Sequence, residues 1–189
     1  MIRLLSQIHA STVHAVDGDI GTVTDCFLSE DLARVRYLVL DAGNWNPGGR
    51  ALVSVSWVQD VTEAAVALTV TREQIKRGPM LDVPPTKPEV TLDQEGGRLR
   101  SAKQVAGCHL QASDEAVGHV DDFLVDPATW AIGGLLIDTS NAPGGKWVTL
   151  APELVSRIDW IARKVFTRVT ADRVRNSPEY REQATNPTV

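Results

Sequence analysis

The sequence predicts a mainly β protein built from two small barrels of about six strands each, every repeat ending in a short helix. Three observations carry this reading. A shift of 97 positions lays residues 17–44 on 114–141 without a gap: Asp17, Gly21, Val23, Asp25, Leu38, Asp41 and Asn44 meet Asp114, Gly118, Val120, Asp122, Leu135, Asp138 and Asn141. Within each copy, short β-prone runs are separated by turn residues, as half-buried strands require. Each copy closes on a Thr-led segment, "TREQIKRGP" (71–79) and "TADRVRNSP" (170–178), with the signals of a short helix.

The elements follow in order. "DG" at Asp17-Gly18 lies between two β-prone runs and marks a hairpin. Ile20 to Leu28 continues as a strand, then Val35 to Asp41, matched by Ile132 to Asp138 in the second copy. The continuous "LVL" and "LLI" call for cover on both faces, as in a closed or strongly curled sheet. "NWNPGGR" and "NAPGGK" are loops; "ALVSV" and "WVTL" are short strands. In copy two, "LVSRIDW" turns at Ala162-Arg163 and returns as "KVFTRV". Thr71 and Thr170 are natural N-caps, since a hydroxyl can accept from the open N–H groups of the first turn. So few strands cannot cover two sheets of a sandwich, whereas curling buries one face and removes most edges. Alternation marks Val23, Phe27, Val39, Val66 and Leu68 as core in copy one, and Val120, Leu124, Leu136 and Val165 in copy two.

The expected organisation is a first repeat at 1–79, a Pro/Gly-containing linker at 80–98, a second repeat at 99–180 and a flexible tail at 181–189. A hydrophobic content of 43% with 23% charged residues is that of a globular chain. The net charge of -5 argues against sequence-independent nucleic-acid binding, which needs clustered Lys and Arg. No apolar run approaches the roughly 20 residues that span a bilayer, so integral membrane association is not expected. The N-terminus lacks the pattern of a signal peptide, and the expected address is the cytoplasm. Cys26 and Cys108 share no motif and read as reduced, buried, small apolar residues.

The unit "G-x-V-x-D" (Gly21 to Asp25; Gly118 to Asp122), an apolar strand ending in Asp41 or Asp138, a Gly-rich loop and a closing Thr-led helix recur in that order. Copy two adds "DDFLVD", "TWAI" and "NSPEY". This arrangement resembles a tandem PRC-barrel protein across both halves. Copy one departs from it where Thr22, Thr24 and Cys26 replace His119, Asp121 and Phe123. The PRC-barrel is similar to a domain of the photosynthetic reaction-centre H subunit and to the C-terminal domain of a ribosome-maturation factor. The resemblance implies a non-catalytic interaction module.

The residue types of a metal site occur together in "AVGHVDDFLVD". On a regular strand, His119 and Asp121 share a face roughly 7 Å apart, the weak candidates for metal ligands. Two ligands do not make a tight site, and copy one has threonines there. Gly21, Asp25, Asp41, Gly118, Asp122 and Asp138 read as the structural framework of the repeat, the carboxylates accepting backbone or Arg donors. "PGGR" and "PGGK" lack the strand–GxxxxGK[ST]–helix order of a phosphate loop. Nothing assembles a nucleophile constellation, so no catalytic residue and no cofactor is expected. Of five tryptophans, Trp45, with Tyr37, is the candidate for a partner contact, because Trp and Tyr are enriched at binding hot spots.

The function expected is protein–protein interaction or assembly, with homodimerisation plausible. The alternatives are an RNA-processing or ribosome-associated factor and, second, a metal-dependent enzyme using His119 and Asp121.

Overall fold

The structure, a computed structural model, describes residues 2–41, 43, 49–81, 91–92, 98–140 and 145–181. It is mainly β, with few and short helices. The first half forms β1 (Arg3–Leu4), β2 (Thr12–Ala15), β3 (Gly18–Ser29), β4 (Val35–Asp41), β5 (Arg50–Ser54), β6 (Val58–Val61) and β7 (Ala65–Leu68). Helix α1 (Arg72–Lys76) and β8 (Met80–Leu81) follow. Next come β9 (Thr91–Leu92), β10 (Arg98–Ser101) and α2 (Ala102–Val105). The second half continues with β11 (His109–Gln111), β12 (Ala116–Asp126), β13 (Ala131–Asp138), β14 (Trp147–Leu150), β15 (Val155–Asp159), β16 (Lys164–Thr167) and α3 (Ala171–Arg175).

These strands make two similar sheets. One runs β6-β7-β2-β3-β4-β5-β8, with β10 on β3 and β9 on β10; the other runs β14-β13-β12-β11-β16-β15, with β1 on β12. Among the described residues no pairing joins the two ends of either sheet, so the hydrogen bonds draw open, repeated sheets rather than complete rings. The strand totals of nine and seven exceed the six expected per repeat. Each sheet borrows a strand from the other half, and β8 and β9 form within the stretch expected to be linker. Residues 82–90 and 93–97 of that stretch, and 182–189 of the expected tail, lie outside the described residues.

The borrowing is reciprocal. β1 pairs antiparallel with β12, Arg3 opposite Val125 and Leu4 opposite Leu124. β10 pairs antiparallel with β3, Arg100 opposite Leu28 and Ser101 opposite Phe27. Under the repeat shift these are the same pairs, taken in opposite directions, so a pseudo-twofold axis relates the halves. A second reciprocal pair confirms the axis: Val35 N–H donates to Trp130 C=O (2.9 Å) and Ile132 N–H to Ala33 C=O (2.8 Å). Behind each exchanged strand a helical turn carries apolar side chains inward. Leu5 and Ile8, from the 3-10 turn Leu5–Ile8, and Ala102 and Val105 of α2 are all buried. They belong to one hydrophobic cluster that includes residues of both sheets.

Local chemistry explains the helix ends. Thr71 and Thr170 accept from the N–H groups of Gln74 and Arg173 (3.3 Å each), as capping requires. The repeated hairpin residues Asp17 and Asp114 reach the same two helices and accept from Arg72 and Ala171 N–H (2.8 Å each). The expected core is buried with one exception: Leu124 is only half-buried, while Phe123 and Val125 are buried. The cause is a β-bulge between Val120 and Asp122, which adds a residue and turns the following side chains to opposite faces. β3 has its counterpart between Val23 and Asp25.

Because the two halves share strands and a core, unfolding should be one event. Far-UV circular dichroism and tryptophan fluorescence are expected to give a single coincident urea transition. Leu5→Ala is expected to move it by about 2–4 kcal/mol, the usual cost of emptying a buried leucine site. Two separated transitions would show that the halves are stable independently.

Candidate functional site

The "G-x-V-x-D" unit builds the junction between the halves. Gly21 and Gly118 have φ of +146° and +137°, where side chains are rarely tolerated. A Cβ at either would strike the carbonyl oxygen of Asp41 or Asp138 on the neighbouring strand. Val23 and Val120 are buried in the core. The bulge then spends Thr24 or Asp121, and the following Asp25 or Asp122 turns inward, each only 7% exposed.

Both carboxylates hold the exchanged segment of the other half. Asp122 accepts from Ser6 N–H at 3.2 and 3.3 Å through its two oxygens. Asp25 accepts from Lys103 N–H (3.2 Å) and, at 2.5 Å, from the Ser101 hydroxyl, itself the N-cap of α2. Each also accepts from the next N–H of its own strand, Cys26 or Phe123 (2.7 Å each). A buried carboxylate is costly unless such donors surround it. Asp41 and Asp138 work at the rim instead, accepting from Gly43 (2.9 Å) and Ser140 (2.7 Å) N–H after their strands. The Ser140 side chain, and after it the Ser140 N–H and His119, holds the Asp138 carboxyl below its ordinary pKa.

The bulge changes the surroundings of His119 and Asp121, which remain within electrostatic reach of each other. Asp121 is the bulged residue and is exposed; His119 instead turns its Nε2 to Asp138 Oδ2, 3.8 Å away. Desolvation, then the neighbouring Asp122, raises the Asp121 pKa. Among the described residues no group of three or more His, Cys, Asp or Glu side chains is placed to hold a metal. Cys26 and Cys108 are buried free thiols, and burial pushes both pKa values up.

Trp45 lies outside the described residues. Tyr37 is half-buried and packs on a small second cluster of Phe27, Val39, Leu52 and Leu99, so much of its ring already has intramolecular partners. Trp130 is buried at the junction, and Trp160 carries the buried Arg100 guanidinium 4.5 Å from its ring centroid. Arg100 also donates to Glu30 (3.2 Å).

One concave surface stands out beside the junction, a cleft of about 880 Å³. The start of β4, the 3-10 turn Val55–Trp57, strand β6, the 127–130 turn and Arg3 of the exchanged strand line it. Arg3, Arg34 and Arg36 all reach it, and among its described lining residues the one carboxylate is Asp60. Arg3 donates to Thr62 C=O (2.9 Å) and Arg34 to Thr129 C=O at 3.5 Å. Sequence reading missed this cleft because its parts come from positions 3, 34–37, 54–61 and 127–130, joined only by the strand exchange.

Close to the interlock, His9 buries its Nε2 without a hydrogen-bond partner among the described residues. Burial lowers its pKa from the ordinary 6.5, outweighing the attraction of Asp25 and Asp122; Lys103 also lowers it.

Two outcomes test this junction. Asp25→Ala leaves Ser101, Lys103 and Cys26 donors without their acceptor and is expected to cost about 2–3 kcal/mol in urea denaturation, with Asp25→Asn costing less. A loss below about 0.5 kcal/mol would mean that the interlock is not held by this carboxylate. The lowered His9 pKa means that the unfolded chain takes up this proton first as pH falls. Its contribution is therefore present above pH 6.5 and lost as pH drops through the folded value. Stability measured at pH 7.5 and 5.5 is expected to fall more in the wild type than in His9→Gln; equal slopes would remove His9 as the cause.

No family model and no curated protein matches the chain.

Proposed function

We propose that this chain is a non-catalytic protein–protein interaction or assembly module made of two PRC-barrel-type repeats. The observation that carries the reading is the employment of the repeated carboxylates. Asp17, Asp25, Asp41, Asp114, Asp122 and Asp138 each accept hydrogen bonds from backbone N–H groups of caps, turns or exchanged segments. Groups so committed hold a scaffold rigid and are poor acid–base catalysts, which need a free proton site facing a substrate. The scaffold in turn presents a cleft at the junction, the kind of place where recognition residues are held by rigid elements.

The test is capture from source-cell lysate with the full chain as bait, with and without nuclease, followed by reconstitution from purified components. One protein that rebuilds a stoichiometric complex, unaffected by nuclease, is the expected result. Recovery only of nuclease-sensitive ribonucleoprotein components would transfer the reading to an RNA-associated factor.

A further inference from the structure

We propose that the junction cleft binds an extended acidic peptide segment of a partner, which lies along the open edge of β6 with its carboxylates on Arg3 and Arg34. The proposal rests on the interaction-module reading and names the chemistry of its ligand. Three observations lead there.

The first is charge. In a chain of net charge -5, the guanidinium groups of Arg3 and Arg34 reach one cleft whose lining, among the described residues, holds a single carboxylate, Asp60. Among the described residues the contacts of Arg3 and Arg34 are to backbone carbonyls, which do not neutralise a cation. Arginine is the side chain best shaped to take a carboxylate through two parallel bonds.

The second is the duplication, which supplies an internal control. Under the repeat shift the counterparts of Arg3, Arg34 and Arg36 are Arg100, Ala131 and Gly133. Arg100 is buried, stacked on Trp160 and paired with Glu30 at 3.2 Å. The same fold thus leaves the Arg3 guanidinium on a cleft wall on one side of the axis, and on the other buries its counterpart and pairs it with a carboxylate. The basic cleft is not a requirement of the scaffold.

The third is the sheet edge. Among the described residues β6 ends its sheet and is bonded to β7 alone, and its residues Val58 to Val61 form a wall of the cleft. An edge strand offers a row of backbone donors and acceptors to an added strand, while pockets for alternate side chains give selectivity. Its counterpart β15 keeps its charges to itself: Arg157 lies 3.9 Å from Asp159 and over the Phe166 ring at 3.5 Å.

The probe is an eight-residue fluorescein-labelled peptide of alternating Glu and Val, titrated with the full-length protein and followed by anisotropy at low salt. Saturable binding is expected, weakened at least tenfold by Arg34→Glu, weakened by Arg3→Gln, and abolished at high salt. A Lys/Val peptide of equal length should not bind, and hydrogen exchange in β6 should slow in the complex. Circular dichroism melts show whether each variant remains folded; a third variant, Gln59→Pro, disrupts the β6 edge without altering charge and should also weaken binding. Failure of the Glu/Val peptide to bind, or equal binding by folded Arg34→Glu, overturns the proposal. So does Arg34-dependent binding of pyrophosphate or oligouridine in preference to the peptide, which would assign the cleft to a small anion or to RNA. A protein partner captured equally well by Arg34→Glu would also overturn it, while leaving the module reading intact.

Discussion

The buried carboxylate on each long strand is the constraint on which the rest of the architecture depends. Asp25 and Asp122 face inward only because a bulge precedes them, and they are tolerated there only because the other half supplies donors. Half of the repeated motif prepares this arrangement. The glycine lets the adjacent strand's carbonyl pass close by, the valine anchors the strand in the core, and the skipped residue re-aims the aspartate. A spacing that looks like a signature of chemistry is thus the local geometry of an interlock.

Much of the fold was legible because its causes are local. The DG hairpin, the Thr caps and the turn at Ala162-Arg163 each depend on a few neighbouring residues whose conformational preferences are strong. The repeat gave the strand inventory of the second half from that of the first. Two things could not be read. Strict alternation placed Leu124 inside, and a bulge undid that, since hydrophobic pattern alone does not reveal an inserted residue. The strand exchange was also hidden, because Arg3 and Arg100 carry no pattern that says which sheet they join. The Arg cleft followed it out of sight. Its basic residues look scattered in sequence until β1 crosses to the second sheet and the 127–130 turn meets β4.

The shared core changes how substitutions in this protein should be weighed. Leu5 and Val105 lie far from each other in sequence yet enter one cluster through symmetry-related turns. A change at either acts on both sheets. The surface is freer: Arg3 lines the cleft beside β6, whereas its repeat counterpart Arg100 is buried and paired with Glu30.

The covalent connection between β8 and β10 makes the strand exchange unimolecular. Two separate half-chains exchanging strands in this manner would form an assembly whose stability rose and fell with protein concentration. Joining them in one chain converts that encounter into ring closure at an effective concentration in the millimolar range for a short flexible connection, or higher for a matched one. The entropy of association becomes the smaller entropy of closing a loop. A dilute solution then holds the interlocked form as firmly as a concentrated one, and the persistence of the junction in a cell is independent of how much of the protein is made.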